Sequence, residues 1–434
     1  MTVASAPSPS SVPPAAPPFL GWRVVAGAFV LATFGWGLGF YGPPIYLATV
    51  VATRGWPVAL VSGAVTLHFL VGALVVANLP RLHRRFGLSA VTRAGVATLA
   101  LGLGGWALAA HPWQLLGAAC LSGAGWVTMG AAAINAVVSP WFVRGRPRAL
   151  STAYNGASVG GVIFSPLWVL LIDRLGFPVA ALVVGAVLVA AVWALTAAGL
   201  GRTPVELGQA ADGSTAGTAG GVAAAPRPIL APAAPLPPSP WRERRFLTLA
   251  GGMALGLFAQ VGLLAHLFSL IAPVLGEGRA GVIMGLATAS AIAGRTAFGW
   301  LMPPGADRRS AAALSYGAQI AGALLVAVAG ADAPALVVGG VLLFGFGIGN
   351  ATSLPPLIAQ AEFAAGDVAR VVALIVATGQ ATYALAPAAF GLLRTAAAGG
   401  GLPLGEGAAV AGGAALVMAL AIAAFLGGRG RAAR

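Results

Sequence analysis

Long apolar runs are the feature that most constrains what this chain can fold into. From Gly21 onward, stretches of about 20 apolar residues follow one another, and each is long enough to cross a hydrocarbon core of about 30 Å. Of the 434 residues, 59% are hydrophobic and 8% are charged, which leaves too few polar side chains to cover a water-soluble fold. The sequence therefore predicts a multi-pass membrane protein and excludes a soluble enzyme and a disordered protein.

Twelve such runs, numbered here as spans 1 to 12, lie six on each side of a polar interruption. We place them at residues 21–48, 57–79, 88–110, 113–139, 149–172, 178–200, 246–272, 279–303, 309–330, 334–361, 368–394 and 404–427. The predicted fold class is an all-α membrane protein, with twelve transmembrane helices in two pseudo-symmetric six-helix bundles.

The segments outside the spans are polar or rich in small residues. The first 19 residues lack the basic start of a signal peptide and predict a disordered cytoplasmic tail. The central interruption is rich in Gly and Pro and predicts a flexible linker, because it cannot bury apolar surface. The predicted order is a tail at 1–19, an N-terminal bundle at 20–200, a cytoplasmic linker at 201–244, a C-terminal bundle at 245–428 and a second cytoplasmic tail at 429–434.

Arginine supplies all 24 basic residues and a net charge of +14. With a cytoplasmic N-terminus, nineteen arginines fall on cytoplasmic segments, and only Arg54, Arg174, Arg279 and Arg394 fall outside. This bias predicts that both termini are cytoplasmic. Because the arginines occur in short blocks between apolar spans, we predict a bacterial-type inner (plasma) membrane protein surrounded by lipid, without a nucleic-acid partner.

The two halves repeat a pattern around their fifth spans. Arg148 opens span 5, which continues through Tyr154 to Pro166, and Arg370 opens span 11, which continues through Tyr383 to Pro387. A six-plus-six repeat with a central linker predicts a transporter whose binding site lies at the midplane between the halves.

Four stretches resemble a known family. They are Gly21-Trp-Arg-Val-Val with Phe40-Tyr-Gly42 and Arg54-Gly-Trp56; Trp141-Phe-Val-Arg144 with Arg146-Pro-Arg-Ala149 and Gly156-Ala-Ser158-Val-Gly160-Gly161; Gly294-Arg295-Thr-Ala-Phe-Gly299; and Arg84-Arg85-Phe86-Gly87.

Through these stretches, residues 20–428 resemble the major facilitator superfamily, and within it the branch of oxalate/formate antiporters and monocarboxylate transporters. The resemblance implies alternating access by two rocking halves in a protein that works as a monomer. The chain departs from the family pattern after span 2, where Arg84 replaces a loop acid, and in the matching loop of the second half, whose only acid is displaced to Asp307.

Arg295 is the most informative candidate site residue. A charged arginine near the bilayer centre costs about 2.5–3.5 kcal/mol, so it is expected to face a cavity or a partner. Its planar guanidinium can bind a carboxylate through two parallel hydrogen bonds. In the carriers that the chain resembles, an arginine at this position of span 8 holds the substrate carboxylate. The alternative is an arginine that binds main-chain carbonyls and locks two helices together.

Two further positions bear on the charge of the substrate. Carboxylate carriers of this kind often have an acid four residues before the arginine, where this chain has Ala291, so an anionic substrate would supply the missing charge. The oxalate/formate carriers also use a lysine in span 11, a region that holds Gln380 and Tyr383 here. The resemblance thus implies a monoanion rather than a dianion.

Uncharged polar and aromatic side chains at mid-depth are candidates for the rest of the pocket, although Trp and Tyr also form interfacial belts. They are Trp36, Tyr41, Trp126, Tyr154, Asn155, Gln260, Asn350, Gln380 and Tyr383.

The intramembrane histidines His266 and His68 are candidates for proton coupling, because imidazole titrates near neutral pH. The alternative for each histidine is a hydrogen-bonded packing residue.

The sequence predicts no cofactor and no metal site, because no ligand cluster has suitable spacing. The glycine run at 345–350 lies inside an apolar span and predicts close helix packing rather than nucleotide binding.

We predict a secondary active transporter of a small organic anion, with a monocarboxylate as the first candidate, that works by proton symport or anion exchange. The alternatives are an exporter of drugs or other amphipathic solutes and a membrane sensor that does not transport. The sequence contains no pairing of a nucleophile with a base and no group of metal ligands that would predict an enzyme.

Overall fold

The computed structural model describes residues 18–213, 240–302, 306–329, 333–364, 366–402 and 404–429. Within these ranges the chain forms fifteen α-helices and short 3-10 turns, and no strand. Most of the predicted N-terminal tail, the linker at 214–239 and the last five residues lie outside the described residues.

Seven helices form the N-terminal half. They are α1 (Gly21–Gly39), α2 (Pro43–Arg54), α3 (Val58–Phe86), α4 (Leu88–Leu108), α5 (Pro112–Trp126), α6 (Ala131–Val138) and α7 (Arg146–Ala197). The helices α1 and α2 together make span 1, which is interrupted just before Pro43 and Pro44, and α5 and α6 together make span 4. A proline at a helix start costs nothing, because the first N–H groups lack partners in any case.

Eight helices form the C-terminal half. They are α8 (Arg244–Leu275), α9 (Glu277–Leu301), α10 (Arg308–Val328), α11 (Pro334–Ile348), α12 (Asn350–Glu362), α13 (Val368–Tyr383), α14 (Ala386–Ala398) and α15 (Glu406–Gly427). Span 10 consists of α11 and α12, and span 11 consists of α13 and α14.

The number of crossings agrees with the sequence prediction. Among the described residues, 11 helical segments are long and apolar enough to cross a membrane. One of them, α7, has 52 residues and changes direction at Gly176, whose φ of 74° lies in the left-handed region that glycine tolerates best. Because α7 covers both span 5 and span 6, the chain crosses the membrane twelve times.

The halves meet on the side of the membrane away from the chain ends, which we call the distal side; the other is the terminal side. The packed pairs are α7 with α9, α3 with α14 and α2 with α8. Glycines permit the approach: a Cβ at Gly281 of α9 would lie 2.8 Å from Val169 of α7, and one at Gly391 of α14 would lie 2.5 Å from Ser62 of α3. These four residues all lie in the distal parts of their helices.

On the terminal side, Arg309 ties the C-terminal half together. Its side chain is 1% exposed and donates five hydrogen bonds, two to the carboxylate of Glu362 and the others to Thr248 and to the main-chain oxygens of Arg245 and Phe425. The five N–H groups of the guanidinium are thereby satisfied. The starts of α8 and α10 and the ends of α12 and α15 are held at one point.

The first residues of the predicted linker are folded against the N-terminal half. The indole of Trp141 donates to the main-chain oxygen of Arg202 at 3.1 Å, and the side-chain oxygen of Gln209 accepts from the N–H of Leu20 at 3.1 Å. The carboxylate of Asp212 accepts from the N–H groups of Val143, Arg144 and Gly145. The prediction of a flexible linker therefore does not describe residues 201–213.

Candidate functional site

The Arg295 side chain keeps most of its hydrogen-bonding capacity. Its Nε donates to the main-chain oxygen of Gly349 at 3.2 Å, and its terminal nitrogens have no hydrogen-bond partner among the described residues. The side chain is half-buried. The two terminal nitrogens form the edge of the guanidinium that can hold both oxygens of one carboxylate. An arginine fully satisfied by main-chain carbonyls would not have this geometry.

Glycines position Arg295 by letting α9 pack directly on the backbone of span 10. A Cβ at Gly294 would collide with the main-chain oxygen of Phe346, and a Cβ at Gly345 would collide with that of Ala287. Arg295 lies six residues before the end of α9, about 9 Å into the helix from the terminal side. The glycine run of span 10 is thus a packing surface, as the sequence predicted.

Tyr41 brings the N-terminal half to Arg295. The Thr288 hydroxyl of α9 donates to the main-chain oxygen of Met284 at 3.2 Å and lies beside the Tyr41 ring. Gly161 of α7 allows this approach, since its Cβ would lie 2.8 Å from both Thr288 Oγ1 and the Tyr41 ring. Arg295 follows Thr288 by seven residues, which places both side chains on the same face of α9. The face of α9 that carries Arg295 therefore lies toward the N-terminal half.

Thr288 was not among the residues predicted from the sequence. A threonine in an apolar helix commonly bonds the carbonyl four residues earlier, as Thr288 does with Met284. Its contact with Tyr41 gives no signal in the sequence, because the two residues belong to different halves of the chain.

An aromatic cluster lies near the midplane beside Tyr41. The Phe40 ring contacts those of Tyr41 and Phe69, at centroid distances of 5.2 and 6.0 Å. Phe69 in turn contacts Tyr383 of the C-terminal half at 5.6 Å. We define the midplane aromatic cluster as Trp36, Phe40, Tyr41, Phe69, Trp126 and Tyr383, because Trp126 packs edge-on against both Trp36 and Phe69. The cluster spans both halves.

Several predicted site residues border this space. Gln380 and Tyr383 lie on one helix, are half-buried, and have side-chain polar atoms without a hydrogen-bond partner among the described residues. Asn155 is exposed and likewise unpartnered in that part of the chain, whereas its neighbour Tyr154 donates its hydroxyl to the main-chain oxygen of Ala131 at 3.0 Å. Asn155, Gln380 and Tyr383 are thus free to bind a ligand, and the Tyr154 hydroxyl is occupied.

Two further predicted site residues are buried in the C-terminal half. The Gln260 side chain is buried and donates to Gln319 at 2.5 Å inside the C-terminal half. Asn350 is 2% exposed and lies next to the Gly349 carbonyl that holds Arg295, with its Nδ2 unpartnered among the described residues. The structure does not bring Gln260 to the gap between the halves, because its amide faces inward toward α10.

His68 has both ring nitrogens engaged. Nε2 donates to the main-chain oxygen of Gly39 at 2.9 Å, and Nδ1 accepts from the Ser122 hydroxyl at 2.8 Å; this tautomer follows from the carbonyl being an acceptor only. Trp106 donates to the same hydroxyl at 3.0 Å. His68 therefore holds the end of α1, where span 1 breaks, against α3 and α5.

His266 has one engaged nitrogen. Its Nε2 donates to the main-chain oxygen of Pro387 at 3.1 Å, and its buried Nδ1 has no partner in the described part of the chain. Three residues later, the Ser269 hydroxyl accepts from Arg394, which also pairs with Glu406 at 2.5 Å. Arg394, predicted in an outer loop, lies in α14. His266 thus contacts the break in span 11 and retains a free nitrogen.

A cavity of about 460 Å³ lies between the halves on the distal side, away from Arg295. Its walls come from α2, α7 and α8, and Glu277 and Arg394 lie at its edge. Most of its lining is apolar, as in the residues Ile45, Val169 and Phe268. It is separate from the site around Arg295 and Tyr41.

Two helical halves that repeat the same crossings and meet around a polar and aromatic midplane form the architecture of many secondary transporters. A model of the Major Facilitator Superfamily matches residues 25–387 of this chain. The chain belongs to that superfamily, and it is a multi-pass membrane protein.

One curated relative is "MFS-type transporter 1" of Ophiocordyceps sp. (strain BCC 1869). It is 30% identical over 168 residues, a match that covers 37% of this chain and 36% of the relative. The match spans about a third of the relative's length, so what that protein carries is not transferred to this chain.

Solved structures show the same fold. A mutant of the nucleoside transporter NupG aligns with a TM-score of 0.72 and 12% identity, over 94% of this chain and 100% of that one. A bacterial homolog of the human lysosomal transporter Spinster, in an inward-facing and occupied conformation, aligns with a TM-score of 0.67 and 15% identity, over 95% and 97%. At these identities the likeness concerns the fold alone.

Proposed function

We propose that this protein is a secondary active carrier of a small organic anion, with a monocarboxylate as the first candidate substrate. We propose that Arg295 binds the carboxylate of that substrate. The observation that carries the proposal is the free edge of the Arg295 guanidinium, which lies on the face of α9 whose Thr288 is beside Tyr41 of the N-terminal half. The resemblance to the oxalate/formate and monocarboxylate branch supports the same substrate class.

The charge of the substrate follows from the surroundings of Arg295. Along α9, the only acid is Glu277, which lies at the opposite end of the helix, so no carboxylate on α9 neutralises the guanidinium. An anion would remove the cost of an unpaired charge in a low-dielectric site. One free edge matches one carboxylate, and Gln380 and Tyr383, in the region where the oxalate/formate carriers have a lysine, are uncharged. A monoanion is therefore the preferred substrate.

Alternating access would act on the contacts between the halves. In this structure the distal parts of α3 and α14, and of α7 and α9, are packed together. Arg295, Gln380 and Asn155 lie toward the terminal side of these contacts, from which the substrate would reach them. Opening the distal side requires separating the glycine-mediated contacts, while the bundles themselves stay intact.

We propose proton symport or anion exchange as the energy source, with His266 as the proton-coupling candidate. His266 has a free Nδ1 beside the break in span 11, whereas both nitrogens of His68 are engaged in packing hydrogen bonds. A His266→Gln variant should lose the pH dependence of uptake while still exchanging anions. An unchanged pH profile would favour pure anion exchange.

We further propose that the protein works as a monomer in a bacterial-type inner membrane with both termini in the cytoplasm. The arginine distribution supports this orientation. Accessibility of cysteines placed after Arg429 and before Leu20 to an impermeant reagent in intact cells would test it.

An exporter of amphipathic solutes is the second candidate, because the midplane aromatic cluster offers a large apolar surface beside the site. Such an exporter would not depend on the charge of Arg295 for neutral or cationic solutes. A sensor that binds without transporting would give a binding signal and no uptake.

The test is uptake of labelled monocarboxylates into proteoliposomes. Arg295→Ala should abolish uptake, and Arg295→Lys should lose most of it, because a point charge cannot replace the two-pronged contact. Arg279→Ala, on the exposed start of the same helix, is the matched control and should transport normally. Near-normal uptake by Arg295→Ala, with the variant folded by size exclusion and thermal melting, would refute the proposal.

A further inference from the structure

The surface that faces Arg295 from the N-terminal half is aromatic and carries no charge. Tyr41 lies beside Thr288 on the face of α9 that carries Arg295, and Phe40 and Phe69 continue the aromatic surface toward Tyr383. Between Arg23 and Arg54, the sequence of span 1 contains no charged residue. The site thus presents one cation on one side and several rings on the other.

These rings are only partly covered by the protein. Trp36, Phe40, Tyr41 and Tyr383 are half-buried, although they lie near the middle of their spans. The Tyr383 hydroxyl and the Gln380 amide have no hydrogen-bond partner among the described residues. Ring surface and polar groups of the cluster and of Gln380 therefore remain available to a ligand.

The rings already pack edge to face, which leaves faces and edges for another ring. The interplanar angles are 84° for Phe40 with Tyr41, 87° for Phe69 with Tyr383 and 78° for Phe69 with Trp126. Aromatic pairs favour this geometry because the electron-poor edge of one ring meets the electron-rich face of the other.

We propose that the transported anion is an aryl monocarboxylate, with its carboxylate on Arg295 and its ring against the midplane aromatic cluster. This inference rests on the proposed function and narrows its substrate class. A small hydrophilic acid such as acetate or lactate would lose its hydration at the site and leave the aromatic surface unfilled. An aryl carboxylate satisfies the cation and buries its ring in the same step.

The test is binding of labelled benzoate to the purified protein, with displacement by benzoate, acetate, lactate, cyclohexanecarboxylate and benzamide. Binding in detergent avoids the leak of benzoic acid through lipid. We expect benzoate to displace about tenfold better than acetate or lactate. Cyclohexanecarboxylate, which has the same bulk without the ring electrons, should be weaker, and benzamide, which lacks the charge, should not displace.

Variants locate the ring contact. Phe40→Leu should weaken benzoate binding about two- to tenfold, which is more than it weakens acetate binding, and Phe40→Trp should retain benzoate binding. Phe34→Leu is the matched control: Phe34 is half-buried on the same helix and packs on Phe164, outside the cluster. Size exclusion and thermal melting establish that each variant is folded.

The outcomes separate this inference from the proposed function. If acetate or lactate binds as well as benzoate, or cyclohexanecarboxylate equals benzoate, the aryl proposal is overturned and the carboxylate carrier remains. If benzoate does not bind at all, the aryl proposal is likewise overturned, and aliphatic acid uptake decides the proposed function. If benzamide competes equally with benzoate, or Arg295→Ala binds benzoate normally, the carboxylate-carrier proposal itself fails.

Discussion

The Thr66 hydroxyl in the N-terminal half accepts a hydrogen bond from the main-chain N–H of Ala388 in the C-terminal half at 3.0 Å. Ala388 is the third residue of α14, and N–H groups in the first turn of a helix have no partner within that helix. Thr66 therefore caps α14 from the opposite half. This cap exists only while the distal sides of the halves are together.

Removing the cap should favour the distally open state. Thr66→Val keeps the shape of the side chain and removes the acceptor, at a cost of about 1 kcal/mol, or roughly fivefold in the closed-to-open ratio. In a Cys120→Ala background, a cysteine at Ala59 would report the opening by its labelling rate with an impermeant maleimide. Thr66→Ser, which keeps the hydroxyl, should label like the parent. Equal labelling of the Val and Ser variants would show that the hydrogen bond does not hold the seam closed.

The contact between Gly391 and Ser62 should control the same seam by size. A Cβ at Gly391 would lie 2.5 Å from Ser62 Oγ, so Gly391→Ala should force α3 and α14 apart at a cost of about 1–3 kcal/mol. We expect faster labelling at position 59 and slower transport. Adding Ser62→Gly should restore both. Gly412→Ala is the control, because nothing lies within 4 Å of a Cβ there; slowed transport in that variant would point to a general effect of alanine.

The Arg309 network should dominate the stability of the terminal side. Arg309→Leu leaves Glu362 and several carbonyls without their donors and should destabilise the fold by about 3 kcal/mol. The pair of Arg429 with Asp307 is the comparison: its side chains are 50% and 39% exposed, so Arg429→Ala should cost no more than about 0.5 kcal/mol. Thermal melting of the purified variants measures both. Similar melting temperatures would contradict a structural role for Arg309.

Docking of the linker should depend on acid pH through Asp212. Partial desolvation raises its pKa, but the N–H groups of Arg144, Val143 and Gly145 outweigh this effect and hold the pKa below its ordinary value. The docked arrangement is therefore stabilised above that ordinary value, and the stabilisation disappears as pH falls through the lowered pKa.

A fluorophore on a cysteine at Ala210, in the Cys120→Ala background, would report this docking. We expect release only below about pH 4 in the parent and already at neutral pH in Asp212→Asn. Glu206→Gln, in the same exposed segment, should behave like the parent. A signal that is flat with pH, and equal in all three proteins, would show that the Asp212 carboxylate does not hold the linker.

Some of the site could be predicted because charge in an apolar span is costly. Arg295 stands out in the sequence for this reason, and Gln380, Tyr383 and Tyr41 were identified as polar or amphipathic groups at mid-depth. Thr288, Phe40 and Phe69 were missed, because a threonine or phenylalanine in a membrane span is ordinary. Gln260 was predicted for the pocket from its depth in the span, and its position in the sequence does not show that its amide donates to Gln319.

The sequence by itself determined the twelve crossings, their grouping into two halves and the presence of one arginine inside a span. The physical reason is that apolar length and buried charge act locally, on single segments in lipid. Only the tertiary structure decided which side of each helix meets another helix. Lipid is as apolar as the protein interior, so hydrophobicity does not distinguish the two faces, and the meeting of Arg295 with Tyr41 depends on packing alone.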